Sequence, residues 1–277
     1  MEIKKILKDN NFIFEKKYGQ NFLTDENLLA SVVKRSGVDG NSTVIEIGVG
    51  AGTLTREIAK QTKKVYGFEI DFKLKPILSQ TLKDFSNVEI IFKDIMKMPI
   101  EELEALIGEK YTLIANLPYY ITTPIIMKFI EEATNCERIV VTIQKEVAER
   151  ICAKPKTSDY GAITASINAV ADSEIIEYIP REKFLPVPNV DSSVVKITLN
   201  KNKYDIYDIK KYRTLVKSAF IMRRKTLLNN LLKGYNLEKG QIEELLNKLN
   251  IPLNARGEEL DATDYISLLN ELRELKV

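Results

Sequence analysis

Short apolar runs alternate with helix-like segments over the first 200 residues, and this alternation restricts the fold more than any other feature. Five runs are continuous and rich in Val and Ile, as strands covered on both faces of a parallel sheet are. They comprise residues 43–47, 64–70, 88–92, 111–116 and 138–143. Two further runs, 173–179 and 192–199, alternate more, as edge or antiparallel strands do. The pattern predicts a doubly wound α/β fold with a seven-stranded, mostly parallel sheet.

Amphipathic stretches lie between these runs. Residues 24–35 place Leu28, Leu29, Val32 and Val33 on one face, and Thr24 is the predicted N-cap. Residues 53–60 and 123–133 have a similar pattern.

After Asn200 only helical periodicity remains. It covers residues 212–234, 241–250 and 261–275, and Gly234, Gly240 and Pro252 are the predicted helix breaks. We therefore expect two domains, an α/β domain in residues 1–203 and a small all-α domain in residues 204–277.

The chain has no His. This excludes Ser-His-Asp and Cys-His nucleophiles and His-ligated metal sites. The two cysteines, Cys136 and Cys152, lack metal-type spacing and fit a reducing compartment, so we expect a cytoplasmic protein. No apolar run reaches the roughly 18 residues that a membrane span needs, and residues 1–12 lack the apolar core of a signal peptide.

A glycine-rich turn follows the first predicted strand, in EIGVGAGTLT (46–55). Gly48, Gly50 and Gly52 lie where the strand ends and a helix begins, and glycines there let the backbone approach a ligand. The spacing is G-x-G-x-G, whereas dinucleotide-binding folds have G-x-G-x-x-G. The turn is a candidate cofactor site; a plain strand-to-helix turn is the alternative.

Acidic residues end the next two predicted strands. Glu69 lies 21 positions after Gly48, a placement typical of an acid that binds ribose hydroxyls. Asp94 follows the third strand, where a carboxylate can accept from an adenine amine, although aspartate is also common in turns. Because the carboxyl ends of neighbouring parallel strands meet at one edge, we expect these residues to share one site.

The fourth predicted strand ends in NLPYY (116–120), which carries no charge. Pro118 favours an extended Leu117 and so fixes where its carbonyl points, and Asn116 offers a second acceptor oxygen. Two acceptors on one aromatic amine draw both of its protons and free its lone pair, while Tyr119 can stack on the base. The segment is a candidate site for reaction at an amine such as adenine N6; a tight structural turn is the alternative.

Four segments resemble the small-subunit rRNA dimethyladenosine transferases, the KsgA/RsmA family. They are KKYGQNFLTD (16–25), NLPYYITTP (116–124), FLPVPNVDSSVV (184–195) and FIMRRKTLLNNL (220–231). The resemblance implies a Rossmann-like methyltransferase fold that uses S-adenosyl-L-methionine, yields S-adenosyl-L-homocysteine and needs no metal. It implies dimethylation of N6 on two adjacent adenosines in the 3′-terminal hairpin loop of 16S rRNA, with a role in small-subunit biogenesis.

The resemblance also implies two sets of site residues. The cofactor-binding set comprises Asn21, Leu23, Gly48, Gly50, Glu69, Asp94 and Asn116. The catalytic set comprises Asn116, Leu117, Pro118, Tyr119 and Phe184. Tyr119 and Phe184 are expected to sandwich the target base, and Asn116 to lie where cofactor and target meet. One departure is Asn189, where the family usually has Lys.

Residues 201–233 contain ten Lys or Arg against two Asp, a local charge of +8. A solvated helical surface is one interpretation. The resemblance favours the other, in which Arg223, Arg224 and Lys225 contact the RNA backbone. We expect a monomer whose partner is 16S rRNA within the small subunit or its precursor, with no role for a membrane.

Three other functions compete with this interpretation. An adenine methyltransferase of large-subunit rRNA, of the antibiotic-resistance type, shares the glycine loop and the Asn-x-Pro-Tyr segment. A non-catalytic RNA-binding or assembly factor on the same fold would not need the intact loop, Glu69, Asp94 and Asn116. An NAD-dependent dehydrogenase would need the G-x-G-x-x-G turn that is lacking here.

Overall fold

The computed structural model describes residues 3–15 and 19–275. Lys16, Lys17 and Tyr18, the first residues of the segment KKYGQNFLTD, lie outside the described residues. Two compact units are present: Met1–Ala148 with Glu174–Leu199, and Glu149–Ser173 with Asn200–Val277. Residues 149–173, expected in the first domain, therefore group with the C-terminal residues. Among the residues described, no helix has the length and apolar content needed to span a membrane.

A seven-stranded sheet forms the centre of the first unit, and a two-stranded sheet accompanies it. The strands are β1 (Phe22–Leu23), β2 (Thr43–Ile47), β3 (Lys64–Glu69), β4 (Val88–Phe92), β5 (Tyr111–Asn116), β6 (Cys136–Gln144), β7 (Ala171–Ile179), β8 (Phe184–Leu185) and β9 (Ser192–Leu199). The large sheet has the order β4-β3-β2-β5-β6-β9-β7. Strands β4 to β6 pair in parallel, whereas β9 pairs antiparallel with β6 and β7 lies at the edge. The predicted mostly parallel sheet is confirmed.

The sheet is apolar because its central strands are covered on both faces. Val44, Ile45, Leu113 and Val140 have no exposed surface. Such continuous Val- and Ile-rich runs are what a doubly covered parallel sheet requires. The backbone amides and carbonyls of these strands are satisfied by hydrogen bonds to neighbouring strands.

Among the residues described, six α-helices lie wholly within the first unit. They are α1 (Ile3–Asp9), α2 (Glu26–Ser36), α3 (Thr53–Ala59), α4 (Lys75–Thr81), α5 (Ile100–Ile107) and α6 (Tyr119–Glu132). The N-cap of α2 is Asp25, whose carboxylate accepts from the Leu28 amide, so the prediction of Thr24 was wrong by one residue. Gly37 ends α2 in the left-handed conformation, with φ of 83°.

The second unit is mainly helical. The chain enters it within α7 (Lys145–Ile151), and α8 (Ala162–Asn168), α9 (Ile209–Ala219), α10 (Leu227–Gly234), α11 (Lys239–Lys248) and α12 (Ala262–Glu274) follow. Tyr212 and Tyr265 are fully buried, and their hydroxyls donate to the carbonyls of Ala165 (3.1 Å) and Gly257 (2.8 Å). Burial of these polar groups is tolerated because each finds a partner.

Two helix boundaries differ from the prediction. The segment 212–234 is not one helix, because α9 ends at Ala219 and α10 begins at Leu227. Gly240 does not end a helix but lies in the first turn of α11. Gly234 is the last residue of α10, as predicted.

Candidate functional site

One open cleft lies at the carboxyl ends of β2, β3, β4 and β5 in the first unit. Counting its open mouth, it contains about 1040 Å³ of empty space. All residues predicted to bind the cofactor or act on the target base line it: Asn21, Leu23, Gly48, Gly50, Glu69, Asp94, Asn116, Leu117, Pro118, Tyr119 and Phe184. The fold thus brings together residues far apart in sequence, at the edge where open α/β sheets bind ligands. Their individual roles stay predictions.

The glycine loop has the backbone shape that glycine alone adopts easily. Gly48, Gly50 and Gly52 have φ values of 75°, 58° and 81°. A Cβ atom on Gly50 would lie 2.9 Å from the ring of Phe22, and one on Gly52 would lie 2.9 Å from the hydroxyl of Thr81. The glycines therefore serve both the turn and the close packing around it.

Glu69, at the end of β3, is locked in place by backbone amides. Its carboxylate accepts from the amides of Gly50 (2.8 Å), Ile70 (2.7 Å) and Asp71 (2.9 Å). Burial raises the pKa of Glu69, and these three hydrogen bonds oppose that rise. A carboxylate held in this way keeps one acceptor site, on Oε2, in a fixed orientation in the wall of the cleft.

Asp94 is more exposed than Glu69 and follows β4. Its carboxylate accepts from the amide of Met96 at 3.0 Å and lies 3.7 Å from the ammonium of Lys97. Asp94 therefore stabilises a turn, which was the alternative role predicted from the sequence, and it also lines the cleft.

Glu46, inside β2, is a cleft residue to which the sequence interpretation assigned no role. It has no exposed surface, and neither carboxylate oxygen has a hydrogen-bond partner among the residues described. Burial, reinforced by the charge of Glu69, raises the pKa of Glu46 to about 8. The available signal was one acidic residue within an otherwise apolar strand.

The segment NLPYY joins β5 to α6. Asn116 donates its side-chain amide to the carbonyl of Asn21 at 3.1 Å, which fixes the orientation of the side chain. Pro118 is the N-cap residue of α6, with φ of −54° and ψ of 134°. The hydroxyls of Tyr119 and Ser192 are hydrogen-bonded at 2.9 Å, and burial raises the pKa of Tyr119. The ring of Tyr119 is thereby held from its far end.

Residues 19–23, called the N-terminal segment below, line one side of the cleft. Its strand β1 pairs antiparallel with β8, so that Leu23 lies opposite Phe184. Thr53, at the start of α3, donates its hydroxyl to the carbonyl of Leu23 at 2.8 Å. Gln20 donates to Asp71 at 2.8 Å and accepts from the amide of Glu15 at 3.1 Å. These bonds tie the segment to the loops after β2 and β3.

Arg223, Arg224 and Lys225 belong to the second unit and are exposed in the turn between α9 and α10. The guanidinium of Arg223 donates to the carbonyl of Ser158 within the same unit. Contact with RNA stays a prediction for these three residues.

The sequence is similar to a protein family and to curated proteins named for methylation of ribosomal RNA. The family model described as "Ribosomal RNA adenine dimethylase" matches residues 11–274. The protein named "Ribosomal RNA small subunit methyltransferase A" from Clostridioides difficile is 44% identical, covering 96% of this chain and 93% of that protein. Its namesake from Geobacillus thermodenitrificans is 43% identical, covering 98% of this chain and 95% of that protein.

Two solved structures share the fold. A dimethyladenosine transferase from Plasmodium falciparum superposes with a TM-score of 0.79, at 24% identity, over 92% of this chain and 98% of that one. The 23S rRNA methyltransferase ErmE superposes with a TM-score of 0.68, also at 24% identity, over 91% of this chain and 99% of that one. The predicted Rossmann-like methyltransferase fold is confirmed. Because the family model spans nearly the whole chain and the curated relatives exceed 40% identity, the chain belongs to the ribosomal RNA adenine dimethylase family.

Proposed function

We propose that this protein is an rRNA adenine N6,N6-dimethyltransferase. It transfers methyl groups from S-adenosyl-L-methionine to two adjacent adenosines in the 3′-terminal hairpin loop of 16S rRNA. The observation that carries the proposal is that Asn116, Pro118 and Tyr119 share one cleft with the glycine loop and Glu69. A site for an aromatic amine and a site for a nucleoside cofactor therefore adjoin, in a chain whose family is named for that chemistry.

The cleft residues fit S-adenosyl-L-methionine. The glycine loop lets the backbone come close to a ligand, and Glu69 offers a fixed carboxylate oxygen, Oε2, as acceptor for the ribose. Asp94 can accept from an adenine amine, and Asn21 and Leu23 border the same space. When bound, the cofactor supplies a methyl group on a sulfonium, which is a good leaving group.

The NLPYY segment fits the target adenine. The amide nitrogen of Asn116 is engaged by the carbonyl of Asn21, which directs the side-chain oxygen elsewhere. That oxygen and the carbonyl of Leu117 accept from N6, while Tyr119 stacks on the base. Phe184 is only 4% exposed but lines the cleft, and it covers the other face of the base. Positioning and hydrogen bonding then activate N6 without a strong base.

The basic turn of the second unit suits the same substrate. Arg223, Arg224 and Lys225 bind phosphates of 16S rRNA within the small subunit or its precursor, so binding weakens as salt rises. The protein acts in the cytoplasm as a monomer and contributes to small-subunit biogenesis. In this proposal the first unit binds the cofactor and carries out catalysis, and the second unit contacts the RNA.

The deciding experiment is methyl transfer from labelled S-adenosyl-L-methionine to small subunits from a strain that lacks the modification. Nuclease digestion and mass spectrometry locate the label. We expect dimethyladenosine at two adjacent positions of the 3′ hairpin. Label on the large subunit alone would identify an enzyme of the resistance type, and tight subunit binding without label would identify an assembly factor.

Asn116→Ala tests the role of the NLPYY segment. The variant is expected to keep part of its cofactor affinity but to lose turnover, because one of the two acceptors of N6 is gone. Asn41→Ala, in the exposed turn before β2, is the matched control and should transfer methyl groups at the normal rate. Near-normal turnover of Asn116→Ala would refute the acceptor role.

A further inference from the structure

Glu46 is a buried carboxyl group in the wall of the cleft. It lies in β2, two residues before Gly48, and has no exposed surface. Both of its oxygens are fully enclosed and have no hydrogen-bond partner among the residues that the structure describes. The same residue lines the cleft. A buried polar group without a partner is rare in a folded protein and calls for an explanation.

Among the residues that the structure describes, no cation is paired with the Glu46 carboxyl. The groups that face Glu46 are Glu69 from β3, whose charge is of the same sign, and the hydroxyl of Thr55 from α3, whose weak interaction lowers the pKa of Glu46 but falls short of a hydrogen bond. That hydroxyl also has no hydrogen-bond partner in the described part of the chain. The other charged groups lining the cleft are Lys93 and Asp94, after β4. Asp71 lies behind Glu69 and is engaged by Gln20.

This environment determines which form of the carboxyl is stable. Moving an ionised carboxylate out of water without a partner is very costly, and a second acid nearby adds to the cost. The neutral form avoids both costs, so burial and the charge of Glu69 raise the pKa of Glu46 to about 8. At neutral pH the side chain therefore carries a proton.

A positively charged ligand reverses this preference. A cation close to a buried carboxylate favours its ionised form and can outweigh the desolvation cost. S-adenosyl-L-methionine carries an ammonium and a sulfonium, and S-adenosyl-L-homocysteine carries the ammonium alone. Either ligand would bring into the cleft the positive charge that the described residues do not give to Glu46.

We propose that Glu46 is a proton-exchanging cofactor residue, which is protonated before the cofactor binds and ionised when a cationic group of the cofactor enters the cleft. The O–H bond of the carboxyl breaks, its proton passes to the solvent, and the carboxylate that remains faces the cation. The proposal rests on the proposed function, because it requires that this cofactor bind in the cleft.

The test is to count the protons released on binding. Titration calorimetry of the whole protein with S-adenosyl-L-homocysteine at pH 7, in two buffers of different ionisation enthalpy, yields that number. We expect about one proton released per ligand bound. Methylthioadenosine has the same nucleoside and a thioether but no ammonium, so its binding should release none. This comparison uses the wild-type protein and does not depend on how any variant folds.

A pair of variants then assigns the proton to a residue. Glu46→Gln should bind S-adenosyl-L-homocysteine without proton release. Glu89→Gln, which alters an exposed carboxyl of β4, should release as many protons as the wild type. Release that persists in Glu46→Gln, or binding to the wild-type protein without release, would overturn the proposal. Failure of the wild-type protein to bind S-adenosyl-L-homocysteine would instead refute the cofactor assignment itself.

Discussion

Gly50→Ala measures how tightly the glycine loop is packed against the N-terminal segment. Gly50 has φ of 58°, and its added Cβ would lie 2.9 Å and 3.1 Å from two ring carbons of Phe22. The left-handed backbone costs an L-residue about 1–2 kcal/mol, and turning the ring away from its preferred rotamer costs about 0.5–1.5 kcal/mol. Reduced entropy of the unfolded chain offsets about 0.4–1 kcal/mol. We expect the free energy of unfolding to fall by about 0.5–3 kcal/mol.

Gly108→Ala is the matched control for the backbone term. Gly108 has φ of 72°, but nothing lies within 4 Å of the position of its added Cβ. Its loss of stability should therefore be smaller by the cost of displacing the ring, about 1 kcal/mol. In a Phe22→Ala background the ring is absent, so Gly50→Ala should cost no more than Gly108→Ala. Urea unfolding followed by circular dichroism measures all four variants.

The comparison has a clear refuting result. If Gly50→Ala costs the same with and without the Phe22 ring, the two residues are not coupled and the packing explanation is wrong. The affinity for S-adenosyl-L-homocysteine adds a second readout. It should fall in Gly50→Ala, because the Gly50 amide donates to Glu69, and stay unchanged in Gly108→Ala.

Three further predictions follow from the described contacts. Glu46→Gln should match the wild type in stability near pH 4 and exceed it at pH 8 by up to the order of 4 kcal/mol. Between these pH values the carboxyl of Glu46 ionises in the unfolded wild type but stays protonated in the folded protein, where its pKa is about 8, so only the wild type loses stability. Urea unfolding between pH 4 and pH 8 checks it. Tyr119→Phe and Ser192→Ala should each lower kcat/KM for methyl transfer by up to about tenfold. The double variant should lower it no further, because both substitutions remove the same hydrogen bond. Neutralising residues 223–225 should weaken rRNA binding and flatten its salt dependence, and an unchanged salt slope would contradict the phosphate contact.

Most of the sheet could be predicted from sequence because its central strands, β2, β5 and β6, are buried along most of their length, whereas the edge strand β4 is only partly buried. The runs at 43–47, 88–92 and 192–199 match β2, β4 and β9 residue for residue. Continuous Val and Ile leave little ambiguity once glycines and polar residues mark the strand ends.

The break between α9 and α10 was not predicted, although Thr226, whose hydroxyl caps α10 by accepting from the Asn229 amide, is a local signal for it. A buried side chain of α10 also stabilises the turn. Asn230, only 1% exposed, donates to the carbonyl of Ala219 at 2.8 Å and accepts from the amide of Met222 at 2.8 Å. These bonds stabilise the turn after Ala219, although the helical periodicity of the sequence continues through it. Tertiary hydrogen bonds here outweigh local propensity.

The cleft, too, could be predicted from the sequence only in part. Gly48, Glu69, Asp94 and Asn116 could be grouped because each lies at or just after the carboxyl end of a strand, and the ends of parallel strands meet. The approach of Phe184 to Leu23 depends on β1 and β8, which are two residues long and too short to show any periodicity. Only the resemblance to a family pointed to Phe184.

The absence of His can be understood from the direction in which the reaction moves protons. After N6 takes up a methyl group, the nitrogen is strongly acidic and loses its proton to water, so no residue has to remove that proton beforehand. In the proposed site, Asn116 and Tyr119 are neutral groups that can hydrogen-bond to the target base and stack on it. The buried acids lie on neighbouring strands: Glu46 is inside β2, and Glu69 is the last residue of β3. There they can interact with the positive charge and the hydroxyls of a nucleoside cofactor. If Glu46 exchanges its proton as proposed, the affinity for the cofactor should fall as the pH falls below 8, whereas kcat at saturating cofactor should not change over this range.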